Sequence, residues 1–125
     1  MTQRPEHRTN PRLTLRYPIR IDRGSDRQGA VLARTVTQNL GARGAYFSTF
    51  HPEPFHVGQE IGVVLTVPHR LADDGQEVML DLSARGRVVR VDGPERHRRF
   101  GEDGLPLAGV AVEFASPLTF HYRWV

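Results

Sequence analysis

The period of the apolar residues constrains this chain more than any other feature. From residue 12 onward they recur at every second position or in short runs, and no stretch of length carries the i, i+3, i+4 stripe of an amphipathic helix. Leu13, Leu15, Tyr17, Ile19 and Ile21 alternate with Arg12, Thr14, Arg16, Pro18 and Arg20. That pattern predicts a half-buried strand with an arginine face, and Pro18 predicts that it lies at an edge or bends. Arg4, Arg8, Arg12, Arg16 and Arg20 also recur every fourth residue, but Pro5, Pro11 and Pro18 fall in the same interval and argue against a helix. In a strand, a spacing of four still keeps Arg12, Arg16 and Arg20 on one face.

Five further strands follow by the same reasoning, at residues 30–38, 45–50, 60–67, 77–91 and 107–114. The fourth of the six is nearly continuous in apolar residues, and the fifth is long enough to require a bend or bulge near residues 83–86. Between them lie turn-rich segments at 22–29, 39–44, 51–58, 70–76 and 92–106. At 125 residues the chain is one domain. The expectation is an all-β fold, a small six-stranded antiparallel β-barrel over residues 12–115. Residues 1–11 are expected to be a flexible, arginine-rich arm. Residues 116–125 are expected to be a tail, its Phe120, Tyr122 and Trp124 packing as a short helix or covering one barrel end.

Composition narrows the function classes. With no cysteine, disulfides, thiolate metal sites and a cysteine nucleophile are excluded. No apolar stretch approaches the ~18 residues of a membrane span, and residues 1–11 carry no apolar signal core. A cytoplasmic protein is the expectation. His51 and His56 are the one local histidine cluster; prolines lie between them and no third ligand is evident, so no metal is expected. Ser48, Ser83 and Ser116 lack the setting of a nucleophile elbow, and no acid–base pair stands out, which argues against an enzyme and against a cofactor. All 17 basic residues are arginine. Guanidinium is a planar fork that pairs bidentately with phosphate and with the O6/N7 edge of guanine, and it stacks on flat rings. Arg96-His-Arg-Arg99 is a small basic cluster in an expected loop, either solvated or in contact with RNA or a partner.

Two short pieces suit a flat, phosphate-bearing ligand. Arg8-Thr-Asn-Pro-Arg12 is an R-x-x-x-R spacing on the arm, its arginines roughly 12 Å apart when extended. Asn39-Leu-Gly-Ala-Arg-Gly44 is a glycine-bounded turn between strands, in which Asn39 offers both a donor and an acceptor. Gly41 and Gly44 permit positive φ or close backbone approach. Each piece read alone is also what a solvated basic tail or a plain strand connection would contain.

In order, these pieces resemble the PilZ domain, the bacterial cyclic di-GMP receptor module. That family looks like an R-x-x-x-R arm, a strand, then a [D/N]-x-S-x-x-G turn followed by an apolar strand. Arg8 and Arg12 match the first motif; Asn39, Gly41 and Gly44 occupy the second, 27 positions later (39 minus 12). Gly58-Gln-Glu-Ile-Gly-Val-Val-Leu, Gly86-Arg-Val-Val-Arg-Val and Ala108-Gly-Val-Ala-Val-Glu-Phe look like three later strands of the family, so the resemblance covers about residues 8–115. Gly41 stands where the family has serine; a backbone N–H there is expected to substitute in part for the hydroxyl. Asp81-Leu-Ser-Ala-Arg-Gly86 matches the turn motif to the letter, but it lies 69 positions after Arg12 (81 minus 12) and runs into a strand that comes late in the family order.

The resemblance implies a receptor that binds cyclic di-GMP and signals to a protein partner. Arg8 and Arg12 would contact guanine and phosphate, Asn39 would read guanine polar groups, and Gly41 and Gly44 would allow close approach. Arg43 would add a phosphate contact, and His7 would stack on guanine. Two alternatives stay open: an adaptor of the same fold that binds motility or pilus machinery without nucleotide, and a barrel that binds single-stranded nucleic acid through arginines and aromatics such as Tyr46, Phe47 or Phe55.

Overall fold

The computed structural model describes residues 16–24, 30–70 and 75–123. Its strands are β1 (Pro18–Arg23), β2 (Val31–Leu40), β3 (Gly44–Thr49), β4 (Glu60–Arg70), β5 (Glu77–Asp92), β6 (Arg99–Phe100), β7 (Pro106–Phe114) and β8 (Thr119–Arg123), with one helical turn, α1 (Pro94–His97), before β6. All strand pairings are antiparallel. Six strands run in the order β7-β3-β2-β1-β4-β5, and β5 pairs back onto β7, which closes the barrel. Closure leaves no open edge among those six.

The strands alternate inward and outward as the apolar period requires. Ile19 and Ile21 of β1, Phe47 of β3, Ile61, Val63 and Leu65 of β4, Val88 of β5, and Val110 and Val112 of β7 fill one core. The near-continuous apolar run of β4 resolves into this alternation, because Ile61, Val63 and Leu65 are buried while Val64 between them is half-buried. Phe55 reaches in from the loop after β3 and packs edge-on against Phe47, ring centroids 5.6 Å apart.

Several expectations need correcting. Pro18 does not mark an edge: β1 lies between β2 and β4, and Pro18 is its first residue, where the missing N–H leaves most of the ladder intact. The expected loop at 92–106 contains α1 and β6. Gly93-Pro94 starts the helical turn: Pro94 pre-sets φ and needs no N–H partner there, and the Arg96 and His97 amides both donate to the Gly93 carbonyl. The C-terminal segment forms no helix over its described residues 116–123. Thr119–Arg123 pairs as β8 with residues 79–83 of β5, a stretch of β5 that β7 does not reach. β5 thus changes outer partner across residues 83–86, from β8 at Ser83 to β7 at Gly86. Its bulge lies slightly later, between Val88 and Arg90.

That bulge and a second one organise the outer surface. In β2 the register shifts between Thr37 and Asn39. Thr37 pairs with inward Phe47, so simple alternation would send Asn39 inward as well; with the extra residue, Asn39 pairs with Tyr46 and shares its outward face. In β5, Val88 is inward, and the shift at Val89 turns Arg90 and Asp92 outward. Asn39, Tyr46, Ala111 and Arg90 therefore form one cross-strand row over β2, β3, β7 and β5. Ser48, Gly109 and Asp92 form the next row.

Candidate functional site

On this outer face the middle strand, β7, carries two small residues in succession, Gly109 and Ala111, between the taller side chains of β3 and β5. The furrow lets Tyr46 lie across β7. A Cβ at position 109 would collide with the Tyr46 hydroxyl, so this glycine is needed for close approach. The Tyr46 hydroxyl donates to Asp92 Oδ2 at 2.8 Å and lies 3.0 Å from His97 Nδ1. Having one proton and giving it to Asp92, the hydroxyl must accept from Nδ1–H. His97 Nε2 is then an acceptor, and the Ser48 hydroxyl donates to it at 2.7 Å. The result is a directed chain, Ser48 to His97 to Tyr46 to Asp92, completed by Arg90 Nε donating to Asp92 Oδ2 at 3.1 Å.

The electrostatics follow from this order. Burial, and then the Asp92 carboxylate, push the Tyr46 phenol up to about 12, so it remains a donor at any physiological pH. Burial raises the Asp92 carboxyl, but the Tyr46 hydroxyl and the Arg90 guanidinium outweigh that and hold it below its ordinary value. Burial, and then the Arg99 charge, lower the His97 imidazole, with Asp92 opposing. A neutral His97 is the form the hydrogen-bond order requires. The Arg90 guanidinium also stands 5.6 Å from the Tyr46 ring centroid. Ser48 is buried behind His97, so this serine–histidine contact positions a loop and presents no nucleophile to solvent.

The chain of bonds clamps α1 onto β3 and, through Asp92, β5, and an open cleft of about 900 Å³ is left between α1 and the 39–44 turn. This is within the range of small-molecule sites, about 300–1,000 Å³. Asn39, Gly41, Arg43 and Gly44 line one side; Arg90, Arg96, His97 and Arg99 line the other. Asn39, Gly41, Arg43 and Gly44 thus line one cleft. His7, Arg8 and Arg12 lie outside the described residues. The described chain nonetheless enters the barrel next to this cleft: the Tyr17 amide donates to Thr37 Oγ1 and the Thr37 amide to the Tyr17 carbonyl, both at 2.9 Å. Thr37 is two residues from Asn39.

The roles expected of the two turn glycines change. Neither has positive φ. Gly44 is required by a neighbour within the fold, since a Cβ there would strike the Val112 carbonyl of β7. The Gly41 N–H, expected to replace the missing serine hydroxyl in part, donates instead to the Gly44 carbonyl at 2.9 Å to close the turn. The space where a Gly41 side chain would project is open. Asp81 to Gly86 is no turn at all: it runs inside β5, where Thr66 Oγ1 donates to Asp81 Oδ1 at 3.0 Å. Of the aromatics considered for stacking bases, Phe47 and Phe55 are core residues, exposed by 0% and 4%, and Tyr46 is tied to Asp92.

Sequence reasoning missed Tyr46, Asp92 and His97 as one cluster, and it placed Arg96 and Arg99 in a loop without connecting them to the turn. The helix-start pair Gly93-Pro94 was the available signal for order in that segment. Among the described residues no group of three metal-ligating side chains occurs, and no helix is long and apolar enough to cross a membrane.

No protein-family profile matches the chain, and no curated protein matches it by sequence. A solved structure is similar in fold: the Bacillus subtilis inhibitor of motility (MotI/DgrA), at 15% identity and a TM-score of 0.57, over 92% of this chain. This chain spans 45% of that protein. The likeness supports a PilZ-like fold.

Proposed function

We propose that this chain is a cyclic di-GMP receptor that passes its bound state to a protein partner. The observation that carries the reading is one of position. β1 and β2 are antiparallel, so the start of β1 lies beside the end of β2. The described chain therefore begins at the end of the barrel where Asn39 and the 39–44 turn line the cleft. Arg12 is five residues before Tyr17, a reach of up to roughly 17 Å, enough to lay a guanidinium over the cleft. In this reading Arg8 and Arg12 take guanine and phosphate, Asn39 reads a guanine edge, and Arg43 adds a phosphate contact. Drawing the arm onto the barrel creates the surface that a partner recognises.

Calorimetric titration with cyclic di-GMP tests this. The wild type should bind, and Arg8→Ala/Arg12→Ala should lose at least about a hundredfold in affinity, the worth of two charge-assisted contacts. A wild type that gives no heat at high micromolar ligand sinks the reading.

A second reading has its own support. Gly41 lacks a hydroxyl and its N–H is already engaged, while Phe100 and Leu105 stand 67% and 56% exposed beyond α1. An adaptor that holds a protein partner without nucleotide would use such a surface. The similar structure is named an inhibitor of motility, which makes motility machinery the first partner class to try.

A further inference from the structure

We infer that Arg96 and Arg99 form a second phosphate-binding wall of the cleft, facing the 39–44 turn. The inference rests on the nucleotide reading and extends it to residues outside the PilZ-like motifs.

The charge balance of the cleft motivates it. Arg43, Arg90, Arg96 and Arg99 line it against one lining carboxylate, Glu113. Arg90 is committed, its Nε bonded to Asp92. Arg96 stands 77% exposed with only a 4.0 Å approach to Asp92 Oδ1. Arg99 is exposed and has no acidic partner among the described residues. Two exposed guanidinium groups on one wall of a concave site, Arg96 only loosely paired with Asp92, constitute an anion subsite, because each can offer paired N–H donors to phosphate oxygens. The wall is also fixed. His97 lies between the two arginines in sequence and is held on both ring nitrogens, by Tyr46 and Ser48, so the arginines are presented from a seated segment. A cyclic dinucleotide carries two phosphates. Arg43 would serve one; Arg96 and Arg99 would serve the other, with Ala111 as low floor beneath the ligand.

Arg98 is a built-in control. It sits between Arg96 and Arg99 in sequence but does not line the cleft; it lines only the neighbouring recess beside Asp92, which Arg96 also borders, and its Nε points to the Glu95 carbonyl at 3.4 Å. Any ligand attracted by net charge alone would feel Arg98 as much as Arg96.

The experiment is titration of cyclic di-GMP against wild type, Arg96→Ala/Arg99→Ala and Arg98→Ala, each at two salt concentrations, with thermal melts to confirm that these exposed substitutions leave the fold intact. The double variant should bind roughly ten- to a hundredfold more weakly and show a shallower salt dependence; Arg98→Ala should bind as wild type. Unchanged binding by the double variant overturns the inference and leaves the nucleotide reading standing. An equal loss in Arg98→Ala overturns it too, since the attraction is then diffuse. A wild type that does not bind removes the nucleotide reading and this inference together.

Discussion

Residues 39–44 and residues 81–86 are spelled almost alike: an Asn or Asp, a small residue two positions on, and a terminal glycine. In the barrel they are different objects. The first ends β2, closes a hairpin and lines the cleft; the second is an uninterrupted part of β5, its backbone committed on both sides to β4 and to β8 or β7. What separates them is the ladder. A side chain can read a ligand where its strand ends and the backbone turns away, and it is taken up by cross-strand neighbours where the strand continues.

Substitutions made in pairs can break this contrast. The largest effect should come from the two terminal glycines, both of which face β7. A Cβ at Gly44 meets the Val112 carbonyl head-on, whereas at Gly86 it would sit 3.0 Å from the Glu113 carbonyl, a tight but adjustable contact. Gly44→Ala should cost about 3 kcal/mol and Gly86→Ala about 1 kcal/mol in denaturant unfolding. Equal costs would mean that the close approach at Gly44 has been misjudged.

The first residues of the two segments should divide function from stability. Asn39→Ala should weaken cyclic di-GMP binding about tenfold with little change in melting temperature. Asp81→Ala should leave binding alone and cost about 1 kcal/mol through the lost Thr66 hydrogen bond. The reverse result would transfer the site to β5.

A smaller effect concerns the third residue. Space over Gly41 is open, so Gly41→Ser should fold normally and tighten nucleotide binding about fivefold, the worth of one hydrogen bond of about 1 kcal/mol. If affinity does not rise, the turn does not touch ligand.

The smallest effect is on the opposite wall of the cleft. His97 is lowered from its ordinary value of 6.5, so the folded protein prefers it neutral. Its contribution is complete above pH 6.5 and is lost as the pH falls through the lower folded value. Protection of the amides at residues 95–98, taken relative to their intrinsic exchange rates, should therefore fall on going from pH 7.5 to 5. An exchange rate that tracks only the intrinsic pH dependence would remove His97 as the clamp.

Period-two alternation made the barrel legible because each core strand needs alternate apolar residues, and Ile61, Val63 and Leu65 supply them as cleanly as any. The turn was legible because asparagine and glycine mark the end of a strand. The opposite wall was not. Tyr46 and Asp92 are 46 positions apart and Tyr46 and His97 are 51 apart, and nothing local in either stretch announces the other. The bulges were hidden for a related reason: Gln38-Asn39 and Val88-Val89-Arg90 look like ordinary strand residues until a partner strand sets the count.

Those two bulges behave as frameshifts in three dimensions. Downstream of each, every side chain trades faces until the strand ends. Deleting Gln38 or Val89 would swing Asn39, or Arg90 and Asp92, into the apolar interior and turn the cleft inside out, while exchanging either residue for another would leave the reading frame intact. The site can therefore drift freely in spelling at these positions, but its strand lengths are fixed.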